Sequence, residues 1–334
     1  MRIEQWDPAD EKTLLACHEV HRAAALTDDP VEPPMSAGTF GVFLTEGFDH
    51  NPGEAWAAFD DGGTVVGYYR LNLPDLENRG RGFLLPTVHP AARRGGVGRE
   101  LLRHGAARAA AHSRTLLESV AVAGGAGEGF ARAVGATLTL EEIRRIQYLD
   151  KIAPGTVAAL RGDAARAAAG YSLVSWTGPV PEEYLAGTAE VFNAFNDAPH
   201  SESSEEEVWD ATRVRERTGT LPRLGFMRAY GVAALHDVSG EMAGFTMMLV
   251  DPESPAWGFQ QLTAVVRGHR GHRLGLLLKT AMLELLAGAE PQLKWVSTGN
   301  AADNAHMIAV NEQLGYEVAG QGWNFYEIPI AEVE

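Results

Sequence analysis

The chain has 334 residues, 45% of them hydrophobic and 22% charged, a composition typical of a globular protein long enough for two domains. Its formal net charge of -16 disfavours nucleic acid and anionic membranes as partners, because both would repel the protein. No run of about 18 apolar residues predicts a membrane span, and the single Cys17 excludes a disulfide framework or a cysteine cluster for a metal. We therefore expect a cytoplasmic protein without a metal site.

The first half of the chain predicts a mixed order of strands and helices. Strands are expected at 2–6, 55–59, 64–73, 82–88, 116–122 and 136–149, and helices at 10–25, 97–112 and 128–134. The Asp-Asp-Gly-Gly sequence at 60–63 favours a hairpin between the second and third strands. The strand at 82–88 is apolar on both faces, which indicates a central position in the sheet.

The second half predicts the same order of elements. Strands are expected at 171–176, 230–235, 242–250, 259–266, 294–298 and 316–328, and helices at 182–195, 274–286 and 302–313. The alanine-rich segment at 153–170 favours a helical connection. The sequence therefore predicts a domain at 1–152, a linker at 153–170 and a second domain at 171–334. Each domain is expected to be a mixed, mostly antiparallel sheet flanked by helices.

The two halves also match residue by residue. Gly67 and Arg93 correspond to Gly244 and Arg270, each 177 residues further on, and the glycine after the last helix of each half recurs 180 residues further on, as Gly135 and Gly315. Several matches at one offset indicate an internal duplication.

The junction between the fourth strand and the next helix carries the chemistry in each half. The first junction reads HPAARRGGVGREL and the second reads VRGHRGHRLGLLL. Glycine allows close approach of the backbone, and the N–H groups of a helix N-terminus form a cradle for phosphate oxygens that neighbouring arginines can pair with. Neither junction fits a P-loop or a dinucleotide-binding fingerprint.

These junctions resemble the acyl-CoA signature of the GNAT acetyltransferase family, in which Arg or Gln is followed by two residues, Gly, one residue, and Gly or Ala. Residues 93–98 fit the signature fully, whereas Arg273 replaces the middle glycine of 270–275. We expect a backbone cradle to tolerate Arg273 with an ordinary φ. The segment NAADNAHMIAVNEQLGY also resembles the family's closing motif, and the whole chain resembles the tandem GNAT proteins of actinobacteria.

The resemblance implies acetyl-CoA, or another acyl-CoA, as co-substrate. The residues that it implies for binding are Pro86, Thr87, Val88, Arg93, Arg94, Gly95, Gly96, Val97, Gly98, Arg99, Thr263, Val265, Arg270, Gly271, His272, Arg273, Leu274, Gly275 and Asn304. Hydrogen bonds from the fourth strand to the pantetheine are implied at Pro86–Val88 and Leu262–Val265. A small-molecule amine is the expected acceptor, and the chain is expected to be a monomer or a homodimer.

The tyrosine that often protonates the leaving thiolate in this family is replaced by Ala131 in the first half and Asn311 in the second. The catalytic candidates are Asn311, Thr263 and Tyr316. Other polar residues near the implied site are Gln260, Ser297, Thr298, Asn300 and His306 in the second half, and Glu118 and Ser119 in the first. His200 lies in an acidic, serine-rich loop that could line an acceptor site. For each of these residues, a hydrogen-bonded structural role is the alternative.

We expect the first copy to bind acetyl-CoA mainly for stability and the second copy to perform the transfer. Two alternatives stay open: a non-catalytic acyl-CoA-binding or sensing protein, and a transferase for a longer acyl group.

Overall fold

The computed structural model describes residues 1–7, 10–46, 53–197 and 204–333. Two compact units share the chain: unit 1 comprises Met1–Ile143, Ser201–Glu205 and Gly320–Glu334, and unit 2 comprises Arg144–His200 and Glu206–Ala319. The sequence predicts consecutive domains at 1–152 and 171–334, whereas these units are interleaved, because the last strand of the chain lies in unit 1.

The strands and α-helices of the described residues are, in chain order, β1 (Arg2–Gln5), α1 (Glu11–Asp28), α2 (Ala37–Thr45), β2 (Gly53–Phe59), β3 (Val65–Asn72), β4 (Arg81–Val88), α3 (Val97–Ala111), β5 (Leu116–Val122), α4 (Ala126–Ala133), β6 (Thr137–Tyr148), α5 (Thr156–Ala167), β7 (Tyr171–Thr177), α6 (Leu185–Ala194), α7 (Ala211–Arg223), β8 (Arg228–His236), β9 (Met242–Val250), β10 (Trp257–Val265), α8 (Leu274–Ala289), β11 (Trp295–Ala301), α9 (Ala305–Gln313), β12 (Tyr316–Val318) and β13 (Trp323–Pro329). The predicted mixed α/β fold is confirmed.

The sheet of unit 1 runs in the order β1-β2-β3-β4-β5-β13-β6. Its neighbouring strands are antiparallel except for the parallel pair β4–β5. The apolar face of α3 packs on β3 and β4, and Leu101 of this helix and Leu84 of β4 are almost fully buried in the core between them. This packing fixes the start of α3 at the end of β4.

The sheet of unit 2 runs in the order β6-β11-β10-β9-β8-β7, with β12 paired to β6. Strands β10 and β11 are parallel, whereas β7 to β10 are antiparallel. Helix α8 repeats the position of α3, and α5 packs against it. Ala164 and Ala168, which lie in the segment predicted as a linker, are buried in the core of unit 2.

The closing arm of each half is divided between the two units. Strand β6 gives unit 1 its residues up to Ile143 and gives unit 2 the residues from Arg144 onward. In the second half β12 stays in unit 2, while β13 lies between β5 and β6 of unit 1. The prediction of one strand at 316–328 that closes the second half was therefore wrong, because residues 319–322, with a positive φ at Gly320, separate two strands with different partners.

Two helices were not predicted from the sequence, α2 and α7. Each begins after a residue whose side chain accepts a hydrogen bond from the first turn, Ser36 for α2 and Asp210 for α7. The proline within α7 and the two glycines within α2 obscured the helical pattern. Within the described ranges, none of the helices has the length and apolar character needed to cross a membrane.

Candidate functional site

Each unit contains a gap between its two parallel strands. In unit 1 the ladder between β4 and β5 ends at Phe83 and Glu118, and in unit 2 the ladder between β10 and β11 ends at Phe259 and Ser297. Beyond these residues the parallel strands diverge. The remaining length of β4 and of β10 therefore offers backbone groups to an extended ligand.

The register of β4 determines which backbone groups face the gap. The His89 N–H donates to the Val66 oxygen across 3.0 Å, in line with the antiparallel β3–β4 register. Because hydrogen-bonded and non-hydrogen-bonded pairs alternate along an antiparallel ladder, the backbone groups of Leu84, Pro86 and Val88 face the gap. Pro86 has no N–H, so at this position unit 1 offers only a carbonyl oxygen.

The same reasoning applies to β10 in unit 2. The Val266 N–H donates to the Ala243 oxygen across 2.9 Å, so the backbone groups of Thr263 and Val265 face the gap. By the register with the neighbouring strand, Thr263 corresponds to Pro86 of unit 1. Unit 2 therefore has an N–H donor at the position where unit 1 has none.

Strand β10 also contains a β-bulge. Gln260 pairs with Met248 and Leu262 with Met247, so that Gln261 is an extra residue in the strand. The Gln260 side chain turns back into the bulge and donates to the Met247 oxygen at 2.7 Å. The β3–β4 ladder of unit 1 runs without such a shift. Gln260, which the sequence placed among the polar residues near the site, thus stabilises the bent backbone of its own strand.

The loops that follow β4 and β10 have the same backbone geometry. Each contains two residues with positive φ: Arg94 at 67° and Gly96 at 88° in unit 1, and Gly271 at 88° and Arg273 at 55° in unit 2. The expectation of an ordinary φ at Arg273 was therefore wrong. The loop needs a left-handed residue immediately before the helix, and each loop places one of its two left-handed positions on an arginine.

Both loops lead into a helix whose first N–H groups are not capped by a side chain. Gly96 precedes α3 and Arg273 precedes α8, and neither residue makes a side-chain capping bond. By contrast, Asp10 caps α1 with bonds to Lys12 and Thr13. The N–H groups at the start of α3 and α8 therefore remain available to an anion, and the residues of both loops fit a diphosphate.

The leading arginine of the first loop has a structural partner. Arg93 donates two hydrogen bonds to Asp28 at the end of α1, at 2.7 and 2.6 Å, and a third to the Val88 oxygen. Arg94 and Arg99 are exposed, and within the described part of the chain neither has an ion-pair partner. Two positive charges of this loop are thus available to a phosphate group.

In the second loop the leading arginine is also held by an aspartate, and more of the arginines donate hydrogen bonds to protein side chains. Arg270 and Arg267 each donate to Asp197 at 2.8 Å, and Arg273 donates to the Gln313 side chain at 2.9 Å. The hydrogen bonds from Arg267 and Arg270 hold the pKa of Asp197 below its ordinary value. Within the described residues the first loop therefore leaves two arginines without a side-chain partner, whereas the three arginines of the second loop are all hydrogen-bonded.

A cavity of about 200 Å³ opens at the second loop. Three residues of α9, His306, Val310 and Gln313, contribute to its wall. The predicted binding residues in this wall are Val265, Arg270, Gly271, Arg273, Leu274 and Gly275. Side-chain space at Gly275 is open, because an added Cβ would meet no atom within 4 Å. The cavity places the predicted loop residues around one concave surface.

A buried polar chain links α8, α9 and β11 in unit 2. The Lys279 ammonium donates to Asn311 Oδ1 at 2.5 Å, and Asn311 Nδ2 donates to Asn300 Oδ1 at 2.8 Å. Lys279 is 3% exposed and Asn311 is fully buried. Burial lowers the pKa of Lys279 to about 7. The Tyr316 ring lies under the ammonium, 4.7 Å away.

The structure assigns other roles to several candidates. Asn304 caps α9 by accepting from the Met307 N–H at 3.2 Å, and Thr263 shares a hydrogen bond with Thr246 at 2.7 Å. Tyr316 is buried in the core of unit 2, where burial raises the pKa of its hydroxyl. Ser297 and Thr298 are buried in β11.

In unit 1, Glu118 lies at the closed end of the gap and bonds to Arg81 at 3.1 Å, which is also paired with Glu327 at 3.0 Å. Ser119 of β5 pairs with Tyr326 of β13. His200 lies outside the described residues.

Three residues of the site were not predicted: Asp28, Asp197 and Lys279. The aspartates lie far from the loops in sequence, so no local pattern identifies them. Lys279 carried a signal, because it stands within the apolar run LGLLLKTAM and corresponds to Leu102 of the first half. Comparing the halves position by position would have found it.

The chain matches the model of the acetyltransferase (GNAT) family over residues 21–127. It is similar to the solved structure of a tandem GNAT protein from the clavulanic acid biosynthesis pathway (without AcCoA), with 31% sequence identity, a TM-score of 0.80 and 98% of each chain covered. It is also similar to a GCN5-related N-acetyltransferase from Sphaerobacter thermophilus, with 17% identity, a TM-score of 0.69 and coverage of 98% and 95%. No curated protein matches the sequence.

Proposed function

We propose that this chain, which belongs to the GNAT family of acetyltransferases, moves an acetyl group from acetyl-CoA to an amine of a small molecule. The observation that carries the proposal is the pair of equivalent loops, each with two positive-φ residues before a helix without a side-chain cap. Such a loop provides N–H groups for the diphosphate of a coenzyme, and the gap beside it provides a strand edge for the pantetheine.

In the transfer, the amine nitrogen forms a bond to the acyl carbon, and the carbon–sulfur bond breaks with its electron pair on sulfur. The amine loses a proton to solvent, and the thiolate takes one up. The N–H groups that line the gap would stabilise the negative charge on the thioester oxygen. The register of β10 provides two donors of this kind, the N–H groups of Thr263 and Val265, and the one at Thr263 has no counterpart in unit 1.

We assign the transfer to unit 2 and a stabilising acetyl-CoA site to unit 1. Unit 1 supports tight anion binding, because Arg94 and Arg99 are unpaired within the described residues. Unit 2 has the bulged strand, the Thr263 donor, the cavity at the loop and the polar chain that begins at Lys279. Similarity to a protein of the clavulanic acid pathway makes a role in antibiotic biosynthesis the first to test.

Two single-loop variants test the proposal by acetyl-CoA calorimetry and by thiol release with a panel of small amines. Gly96→Glu places a carboxylate at a positive-φ position of the first loop, and we expect a lower melting temperature and one remaining binding site. Gly275→Glu places a carboxylate in the cavity of the second loop, and we expect loss of turnover. Gly275→Ala is the matched control, because an added Cβ meets open space there. Binding of acetyl-CoA at neither loop would refute the proposal.

The replacement of the family's tyrosine by Ala131 and Asn311 favours a second candidate, a non-catalytic acyl-CoA-binding protein. To test it, acetyl-, propionyl- and longer acyl-CoA are each supplied in turn with the panel of amines. Two binding sites, and no thiol release from any of these compounds, would favour that candidate. Release only with a longer acyl-CoA would instead change the acyl group of the proposal.

A further inference from the structure

The polar chain of unit 2 has a fixed direction. An ammonium group has three donors and no acceptor, so Lys279 must face the oxygen of Asn311. The nitrogen of Asn311 then faces Asn300, which must accept through its own oxygen. A donor-only group at one end therefore sets the orientation of both amides.

The far end of this chain is open. Asn300 lies in β11 beyond Ser297, where the ladder to β10 ends, and it is half-buried. Its Nδ2 has no hydrogen-bond partner within the described ranges, yet it is not sealed from solvent. This amide, on the strand that borders the gap, thus keeps two N–H donors without a protein partner among the described residues.

Unit 1 has no counterpart of the chain. Its equivalent positions are Leu102 in α3, Ala131 in α4 and Ala121 in β5, all apolar. Burying a lysine beside an amide costs stability, because the ammonium loses its hydration. This polar chain lowers stability, and it occurs in unit 2 but is replaced by apolar residues in unit 1. It therefore indicates a role specific to unit 2.

We propose that Lys279 and Asn311 are positioning residues that hold the amide N–H groups of Asn300 toward the coenzyme sulfur in unit 2. Asn300 would donate to the sulfur as negative charge develops on it, while solvent supplies the proton that the thiolate takes up. This inference rests on the proposed function, because it requires coenzyme A in the gap of unit 2.

The test compares coenzyme A with desulfo-coenzyme A, which lacks the sulfur, by calorimetry on the full chain carrying Gly96→Glu at pH 6, below the Lys279 pKa of about 7, where this side chain is an ammonium. One net hydrogen bond corresponds to about 2- to 12-fold in affinity, so we expect coenzyme A to bind about fivefold more tightly. In Asn300→Ala and in Asn311→Asp the ratio should fall to about one. Asn311→Asp keeps an acceptor for Lys279 and replaces the donor to Asn300 with a charged acceptor, so it reverses the direction of the chain at nearly constant side-chain volume.

The first loop of the same protein provides the control. With Gly275→Glu in place of Gly96→Glu, the remaining site of unit 1 should bind both compounds with a ratio of about one. A ratio of about one in unit 2 of the otherwise unchanged chain, or an unchanged ratio in Asn311→Asp with a native circular dichroism spectrum, would overturn the inference and leave the proposed function intact. Failure of unit 2 to bind either compound would overturn both the inference and the assignment of the transfer to unit 2.

Discussion

Pro86 of β4 and Thr263 of β10 occupy equivalent positions in the two units, and only Thr263 has a backbone N–H to offer to the gap. Each residue belongs to a non-hydrogen-bonded pair of its ladder, so its backbone groups point away from the antiparallel neighbour. The two copies of one fold therefore differ in the donor set of the strand edge, although their phosphate loops share one geometry.

Thr263→Pro should weaken acetyl-CoA binding at the second loop by about 2- to 12-fold, because one backbone hydrogen bond is lost. No ladder bond to β9 is removed by the change, since the Thr263 N–H does not face that strand. Calorimetry in the Gly96→Glu background measures the effect. Thr263→Val is the matched control: it keeps the N–H and removes only the hydroxyl that bonds to Thr246. Equal losses in both variants would contradict the prediction.

Arg273→Gly should be more stable than Arg273→Ala by about 1 kcal/mol, because only glycine adopts a φ of 55° without a steric cost. Both variants lose the hydrogen bond to Gln313, so their difference reports the backbone alone. Urea denaturation followed by tryptophan fluorescence provides the measurement. Equal stability of the two variants would show that this residue is not left-handed in solution.

The buried Lys279 should make the stability of the protein depend on pH. Its folded pKa of about 7 lies below its unfolded value near 10.5, so the unfolded state binds the proton more readily between these values. Stability should therefore rise as the pH increases from about 7 to 10. Lys279→Met should remove this part of the slope, as measured by urea denaturation at several pH values. The difference in free energy of unfolding between the unchanged protein and Lys279→Met removes the contribution of other titrating groups, which both proteins share. If this difference were constant from pH 7 to 10, the prediction would be refuted.

Ile328→Ala should destabilise unit 1 by about 2–4 kcal/mol, although the residue lies near the end of the second half. Ile328 is 5% exposed and belongs to the core of unit 1, where β13 pairs with β5. Hydrogen exchange should increase in β5 and remain unchanged in β11. Val318→Ala provides the control, because this residue of β12 is 64% exposed. If exchange became faster only in β11, β13 would belong to unit 2, and the prediction would be contradicted.

The sequence alone determined the duplication, the order of most strands and helices, and the two loops, because each of these depends on local patterns. Glycine and arginine spacing identified both loops, and the apolar periodicity of β4 and α3 placed the first loop between them. It also identified the missing tyrosine at Ala131 and Asn311.

Only the tertiary structure decided which unit receives β13, which carboxylates hold Arg93 and Arg270, and which polar side chains form one chain with Lys279. These features depend on contacts between residues far apart in sequence, and such contacts leave no periodic signal. The left-handed conformation of Arg273 belongs to the same class, since the path of the loop imposes it against the residue's own preference.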